Sequence, residues 1–160
     1  MPVRQVKEFL DNNNVKYATI THSAAFTAQE IAALTHTKGR DFAKTVVISI
    51  DGAMALAVLP ASYQVDLNKL RERTGAAVIA LASEAEFRSR FPGCETGAMP
   101  PFGNLYAMPV FLDESLRHEK DITFNAGSHH ELIRMAYEDF KLLVKPQILN
   151  FAAGRRAHAA

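Results

Sequence analysis

The sequence of 160 residues has one cysteine, Cys94, so it forms no internal disulfide and offers no cysteine cluster for zinc. Its net charge is only +1, whereas proteins that bind nucleic acid strongly carry a marked positive charge. A local basic patch is compatible with this value. No apolar run reaches the length of a membrane span, and residues 1–4 lack the apolar run of a signal peptide. A reduced, cytoplasmic setting is therefore the expectation.

Most motifs of catalytic sites are missing as well. There is no HExxH zinc pair, no phosphate-binding GxxxxGK[ST] loop and no serine in a nucleophile elbow. His129 and His130 are adjacent, so they lack the spacing of a helical zinc pair. We expect no metal and no cofactor. An enzyme with so few nucleophiles would have to depend on positioning and electrostatics.

What is present fits an ordinary globular domain. Apolar residues make up 48% of the chain and charged residues 22%, which supplies a sizeable core. We expect one domain over residues 1–153. Residues 154–160 predict a flexible, basic C-terminal tail.

Local patterns predict interleaved helices and strands. The clearest is a hairpin, in which two apolar runs flank Asp51-Gly52 and should form central strands at 45–50 and 53–59. Capping residues predict helices that begin after Thr27, Asp66 and Ser83. The remaining predictions are a helix at 2–13, strands at 16–21, 76–81, 105–112 and 121–125, and a turn at 113–116.

Residues 128–145 allow two interpretations. One is a single long helix, and the other is a strand at 131–136 followed by a helix at 137–144. We favour the second, because Ile133 and Met135 alternate with Arg134 and because Glu138 and Asp139 suit a helix's first turn. The whole pattern predicts an α+β fold, with a mixed sheet of about six or seven strands surrounded by helices.

Three segments could carry chemistry. Residues 97–103, Gly-Ala-Met-Pro-Pro-Phe-Gly, combine two glycines with two prolines and predict a stiff loop with backbone N–H groups suited to an oxyanion. Lys44 stands at the mouth of a buried strand, and Ser128 and His129 follow Gly127 at a strand end. On local sequence alone, each segment has a simpler interpretation. The loop would be a tight connection between strands, and Lys44 a lysine at a strand end. Ser128 would be a capping residue beside the surface imidazole of His129.

Taken together, these segments resemble the YbaK family of aminoacyl-tRNA deacylases, which is related to the editing domain inserted in bacterial prolyl-tRNA synthetases. The resemblance rests on Lys44, on the 97–103 loop and on Phe-Asn-Ala-Gly-Ser at 124–128, and it covers roughly residues 15–150. It implies a barrel-like mixed sheet. It also implies hydrolysis of the ester that joins a wrong amino acid to the 3′ end of a tRNA, often the tRNA for proline.

The resemblance also implies roles for individual residues. The family's lysine matches Lys44, and its G-x-x-x-P loop matches residues 97–100. We therefore expect a positioned water to attack the ester, with Lys44 and the loop residues Gly97, Ala98, Met99 and Pro100 as the catalytic set. The expected substrate-binding residues are Pro101, Phe102, Asn125, Gly127, Ser128 and His129. Small pocket walls would admit alanine, serine or cysteine.

A second hypothesis belongs to another class. The domain could be a non-catalytic module that binds tRNA ends or an aminoacyl-tRNA synthetase lacking its own editing domain, since near-neutral charge predicts weak RNA affinity by itself. A third hypothesis is a metabolite-binding protein that holds a nucleotide or an amino acid in the same pocket.

Overall fold

The computed structural model describes residues 2–21, 42–95 and 97–153. The predicted helix after Thr27 and the predicted tail at 154–160 lie outside these residues. The helices are α1 (Pro2–Asn12), α2 (Leu67–Thr74), α3 (Glu84–Phe87) and α4 (Tyr137–Val144), with 3₁₀ turns at Arg88–Arg90, Gly103–Leu105 and Glu114–His118. The strands are β1 (Tyr17–Thr21), β2 (Ala43–Ile50), β3 (Ala53–Pro60), β4 (Gln64–Val65), β5 (Ile79–Leu81), β6 (Val110–Asp113), β7 (Asp121–Asn125), β8 (Glu131–Ala136), β9 (Gln147–Leu149) and β10 (Ala152–Ala153).

The predicted hairpin is confirmed and forms the centre of the largest sheet. β2 and β3 pair antiparallel over their full length, from Ala43 opposite Pro60 to Ile50 opposite Ala53. Asp51 and Gly52 have φ values of 49° and 88°, which is the left-handed conformation that a type I′ turn needs at both positions. Apolar side chains of both strands belong to the two buried clusters on opposite faces of the sheet, as predicted.

Three sheets make up the β structure of the described residues. The five-stranded sheet has the order β5-β2-β3-β6-β9, the three-stranded sheet β1-β8-β7, and β4 pairs with β10. The five-stranded sheet is mixed, since β3, β6 and β9 run parallel while the other pairs are antiparallel. The α+β prediction is confirmed. The barrel-like expectation is not supported, because none of these sheets closes on itself.

The main core lies between the five-stranded and the three-stranded sheets. Val47 and Leu56 from the first sheet and Phe124 and Ile133 from the second belong to one buried cluster, which α1 covers with Val6 and Leu10. A second cluster, which includes Leu70 of α2, fills the other face of the five-stranded sheet. Burial of these faces is the dominant stabilising contribution to the fold.

Two strand predictions were wrong in part. Residues 76–81 contain only the short edge strand β5, and Val78 just before it and Leu81 within it are 66% and 58% exposed. Residues 105–112 form a strand only from Val110, because Ala107 takes a φ of 55° and the preceding residues form a 3₁₀ turn. Apolar side chains in this segment reflect burial in an irregular loop, which sequence pattern alone does not distinguish from a strand.

Sequence analysis also missed β9 and β10, which follow the left-handed residue Lys145. Asp113 fixes this part of the chain, since its buried carboxylate accepts hydrogen bonds of 2.9 Å from the N–H groups of both Phe151 and Ala152. The preferred interpretation of residues 128–145 is confirmed, with β8 followed directly by α4. None of the helices in the described ranges combines the length and the hydropathy of a membrane span.

Candidate active site

The first part of the candidate site is the proline loop, residues 97–103. Ala98, Met99, Pro100, Pro101 and Phe102 are buried, and only Gly97 is exposed at its start. The ring of Phe102 packs edge-on against the rings of Phe9, Phe124 and Phe140, with centroids 5.3 to 5.7 Å away. Phe102 therefore anchors the loop in the core instead of offering its ring to a ligand.

Two glycines give the proline loop its shape, for different reasons. Gly97 has a φ of 86°, a conformation that L-residues with side chains rarely adopt. Gly103 lies against the backbone of Met108, so an added Cβ would meet the Met108 carbonyl oxygen at 2.0 Å. The loop is thus rigid at both ends, as its glycine and proline content predicts.

The second part of the site is the 126–130 turn, which directly follows β7 and contacts the proline loop through the backbone. The Gly127 N–H donates to the Ala98 carbonyl at 2.8 Å, and the Glu95 N–H donates to the Gly127 carbonyl at 2.9 Å. The His129 ring completes the contact, since a Cβ placed on Gly97 would lie 3.5 Å from its Cε1. The structure therefore joins two segments that lie about 30 residues apart in sequence.

The backbone donors of the proline loop are not all available to a ligand. The Ala98 N–H donates to the Glu95 carbonyl at 3.0 Å and closes a turn, while Pro100 and Pro101 have no N–H. The N–H groups of Gly97 and Met99 make no hydrogen bond with another residue of the described ranges. Because Gly97 is exposed and Met99 is buried, the Gly97 N–H is the donor best placed to meet a substrate oxygen.

Glu95 holds the 126–130 turn against the proline loop. Its carboxylate accepts a hydrogen bond from the His129 N–H. The Ser128 hydroxyl oxygen in turn accepts a 3.0 Å hydrogen bond from the His130 N–H. The hydrogen bond from the His129 N–H is the main reason why the pKa of Glu95 is lowered, with Ser128 and the positive potential of the two imidazoles adding to it.

We expect the pKa of this carboxylate to lie below the ordinary glutamate value of 4.5. A carboxyl whose pKa is depressed by folding stabilises the fold at higher pH and loses that contribution as pH falls through the folded-state pKa. The amide resonance of His129 should therefore shift in NMR spectra with a midpoint below pH 4.5. In Glu95→Gln this shift should vanish, and a midpoint at or above 4.5 in the native protein would contradict the hydrogen bond.

Lys44 lies at the same end of β7 as the 126–130 turn. Phe42 forms a parallel bridge with Thr123, which places the start of β2 beside β7. Side chains alternate along a strand. Ala43 and Phe124 face the main core, so Lys44 and Asn125 both belong to the opposite side. Both side chains are half-buried.

Cys94 is not suited to act as a nucleophile, as its isolation in sequence predicts. Burial raises the pKa of its thiol, which keeps it protonated near neutral pH. Its sulfur lies 3.6 Å from the Tyr106 hydroxyl, and burial also raises the pKa of that phenol. In the parts of the chain that the structure describes, no three histidine, cysteine or acidic side chains come together as metal ligands.

The residues singled out from sequence therefore fall into two groups. Gly97, Gly127, Ser128 and His129 come into one contact region, and Lys44 and Asn125 stand at the strand ends that lead to it. The other proline-loop residues support that region from the core. Sequence analysis missed Glu95, because an acidic residue in an exposed turn looks like ordinary surface; its position two residues before Gly97 was the only signal.

An exposed backbone N–H at a glycine–proline loop, held against the turn that follows β7, is the kind of donor that enzymes of acyl transfer use to stabilise an oxyanion. The family comparison agrees with this class: residues 22–143 match the model of the aminoacyl-tRNA editing domain. The chain belongs to this family. The predicted resemblance and the predicted activity, hydrolytic editing of mischarged tRNA, are thereby confirmed.

Individual relatives agree with this assignment. The chain is 29% identical over 147 residues to the multifunctional Ser/Thr-tRNA deacylase ProXp-y of Escherichia coli K12, an alignment that covers 89% of this chain and 87% of that protein. Its fold matches a crystal structure described as a candidate trans-editing enzyme for prolyl tRNA synthetase, with a TM-score of 0.82, 22% identity and coverage of 96% and 98%. It also matches hypothetical protein APE2540, with a TM-score of 0.81, 18% identity and coverage of 93% and 99%.

Proposed function

We propose that residues 1–153 form a free-standing deacylase that removes a small amino acid from mischarged tRNA, acting in trans in the cytoplasm. Alanine, serine and cysteine are the expected amino acids, with tRNA for proline as one candidate carrier. Threonine joins them, because the Escherichia coli relative is described as a Ser/Thr-tRNA deacylase. The observation that carries the proposal is the contact between the exposed Gly97 and the 126–130 turn, beside the strand end that bears Asn125.

The chemistry needs little from protein side chains. An aminoacyl ester is already activated, so a water molecule held in line with its carbonyl carbon can attack without a covalent intermediate. The vicinal hydroxyl of the terminal adenosine can help to orient that water. As the carbonyl oxygen gains charge, the Gly97 N–H would donate to it, and one such donor typically lowers the barrier by about 2.7–4 kcal/mol.

Lys44 would hold the nucleic-acid end of the substrate. Its ammonium group is a point charge suited to the terminal phosphate or to the ribose oxygens. Asn125 is the last residue of β7, beside which β2 begins, and its amide can donate to or accept from such groups. Fixing the adenosine at this strand end would leave the ester within reach of Gly97.

Selection of small amino acids would rest on size. One methylene is worth only about 1–3 kcal/mol in binding, so a pocket that excludes larger side chains discriminates better than one that merely binds smaller ones. The Gly97–His129 contact supplies such a wall, because the ring lies where a Cβ on Gly97 would be in van der Waals contact with it.

The test is a panel of tRNAs charged with alanine, serine, cysteine, threonine or proline, with loss of the ester followed over time. We expect hydrolysis well above the buffer rate for at least one of the small amino acids. Binding of charged tRNA, or of a synthetase, without any acceleration would instead identify a non-catalytic binding module and contradict the proposal. Tight binding of a free nucleotide or amino acid, without action on any tRNA, would favour a metabolite-binding protein.

A further inference from the structure

Among the described residues, Glu95 is the acidic side chain that bonds the 126–130 turn at its contact with the proline loop. Its carbonyl accepts from the Ala98 N–H, its N–H donates to the Gly127 carbonyl, and its carboxylate bonds the 126–130 turn. The residue is nevertheless exposed. A carboxylate that is both fixed in place and exposed to solvent can bind a ligand as well as stabilise the fold.

The carboxylate carries its charge at neutral pH and has room for another donor. Hydrogen bonds lower the pKa of Glu95, so it remains ionised above the acidic range. Two carboxylate oxygens offer about four acceptor positions. The His129 N–H takes one of them. The neighbouring His129 and His130 rings are the titratable groups whose charge acts on it.

Its place in the turn matches the shape of an aminoacyl ester. The Ala98 N–H bond to the Glu95 carbonyl closes a four-residue turn, in which the first and last Cα atoms lie within about 7 Å of each other. The Glu95 carboxylate accepts a hydrogen bond from the His129 N–H, and the His129 ring lies 3.5 Å from a Cβ placed on Gly97, so His129 contacts both residues. In an aminoacyl ester the α-nitrogen is attached to the atom next to the carbonyl carbon, so an ester oxygen held at Gly97 places the α-ammonium group a few ångströms away.

We propose that Glu95 is a substrate-binding residue whose carboxylate pairs with the α-ammonium group of the amino acid on the tRNA. This inference rests on the proposed function, since it assumes that the ester lies at Gly97. It assigns the site a preference for free aminoacyl esters over esters whose α-position carries no positive charge. The carboxylate also orients the ester, because the carbonyl carbon and the α-nitrogen are then both fixed.

The test uses an α-hydroxy acid ester, which has nearly the same size as the aminoacyl ester but no charge. Alanyl-tRNA is compared with lactyl-tRNA, or seryl-tRNA with glyceryl-tRNA, whichever pair contains the better substrate. The native protein should prefer the aminoacyl ester in kcat/KM by roughly tenfold or more, as expected for a charge-assisted hydrogen bond. Glu95→Gln should lose most of this preference by slowing only the aminoacyl ester. Glu72→Gln, an exposed carboxylate on α2, is the matched control and should change neither rate.

The outcomes separate this inference from the proposed function. If the native protein hydrolyses neither ester nor any member of the panel, the proposed function is wrong. If it hydrolyses both esters equally, or if Glu95→Gln slows both by the same factor, the Glu95 carboxylate does not bind the α-ammonium group and the inference is overturned. Should Glu95→Gln fail to fold, Glu95→Asp decides, because it keeps the charge and should retain part of the preference.

Discussion

Replacing Lys44 with alanine is expected to slow hydrolysis of the mischarged ester by about 100-fold, which corresponds to ~2.7 kcal/mol of lost transition-state stabilisation. Lys44 follows the first residue of β2 and pairs with Leu59, so its backbone belongs to the central hairpin whatever its side chain does. Its side chain lies on the side of β2 away from the main core, because side chains alternate along a strand and the preceding Ala43 faces that core. Loss of the ammonium group should therefore weaken the hold on the terminal nucleotide while the strand pairing stays intact.

The Lys44 experiment has three useful comparisons. Lys44→Met keeps most of the apolar stem without the charge and should be as slow as Lys44→Ala. Lys44→Arg keeps the charge in a planar, forked group and should recover only part of the activity. Lys16→Ala removes an exposed lysine just before β1 and should leave the rate unchanged. A folded Lys44→Ala protein with the native rate would show that Lys44 is not part of the active site.

Replacing Gly97 with alanine is expected to lower kcat/KM by at least about tenfold, through loss of geometry. The φ of 86° at Gly97 strains any L-side chain, and the added methyl group would lie 3.5 Å from His129 Cε1, in the space that the ester carbonyl needs. The backbone strain should also cost about 1–2 kcal/mol of folding free energy. The measurements are kcat/KM on the best panel substrate and urea unfolding.

Two other glycines serve as controls that distinguish the effect of backbone strain from the effect of a position in the candidate site. Gly52 and Gly75 have φ values of 88° and 75°, and a Cβ on either would meet no atom within 4 Å. Alanine at these positions should destabilise the protein by a similar amount and leave the rate on charged tRNA unchanged. If Gly52→Ala and Gly97→Ala reduce activity to the same extent, general destabilisation explains the loss and the special role of Gly97 is wrong.

Much of the fold follows from local signals in the sequence. Asp51-Gly52 fixes the hairpin because both residues must adopt positive φ, and Asp66 and Ser83 begin helices because their side chains accept from backbone N–H groups. Such signals act over a few residues and can be read directly. The arrangement of the three sheets cannot, since the pairing of β3 with β6 and of β1 with β8 depends on contacts between distant residues.

The site shows the same limit more sharply. Stiffness of the proline loop could be predicted from its glycines and prolines, yet its contact with Gly127 and His129 depends on how β7 ends beside it. The sequence also did not show which backbone N–H groups are available to a ligand. Ala98 belongs to the predicted catalytic set, but its N–H donates to the Glu95 carbonyl and closes a turn. The partnership of Glu95 with His129 spans 34 positions, so sequence pattern alone gives no sign of it.

The most direct test of the account is a single-turnover rate, measured with excess protein on tRNA carrying serine or alanine. The account predicts that the native protein accelerates ester loss far above the buffer rate for at least one of these substrates. Lys44→Ala, folded to the same extent by circular dichroism, should react about 100-fold more slowly than the native protein. Equal rates with native protein, with Lys44→Ala and with buffer alone would contradict it.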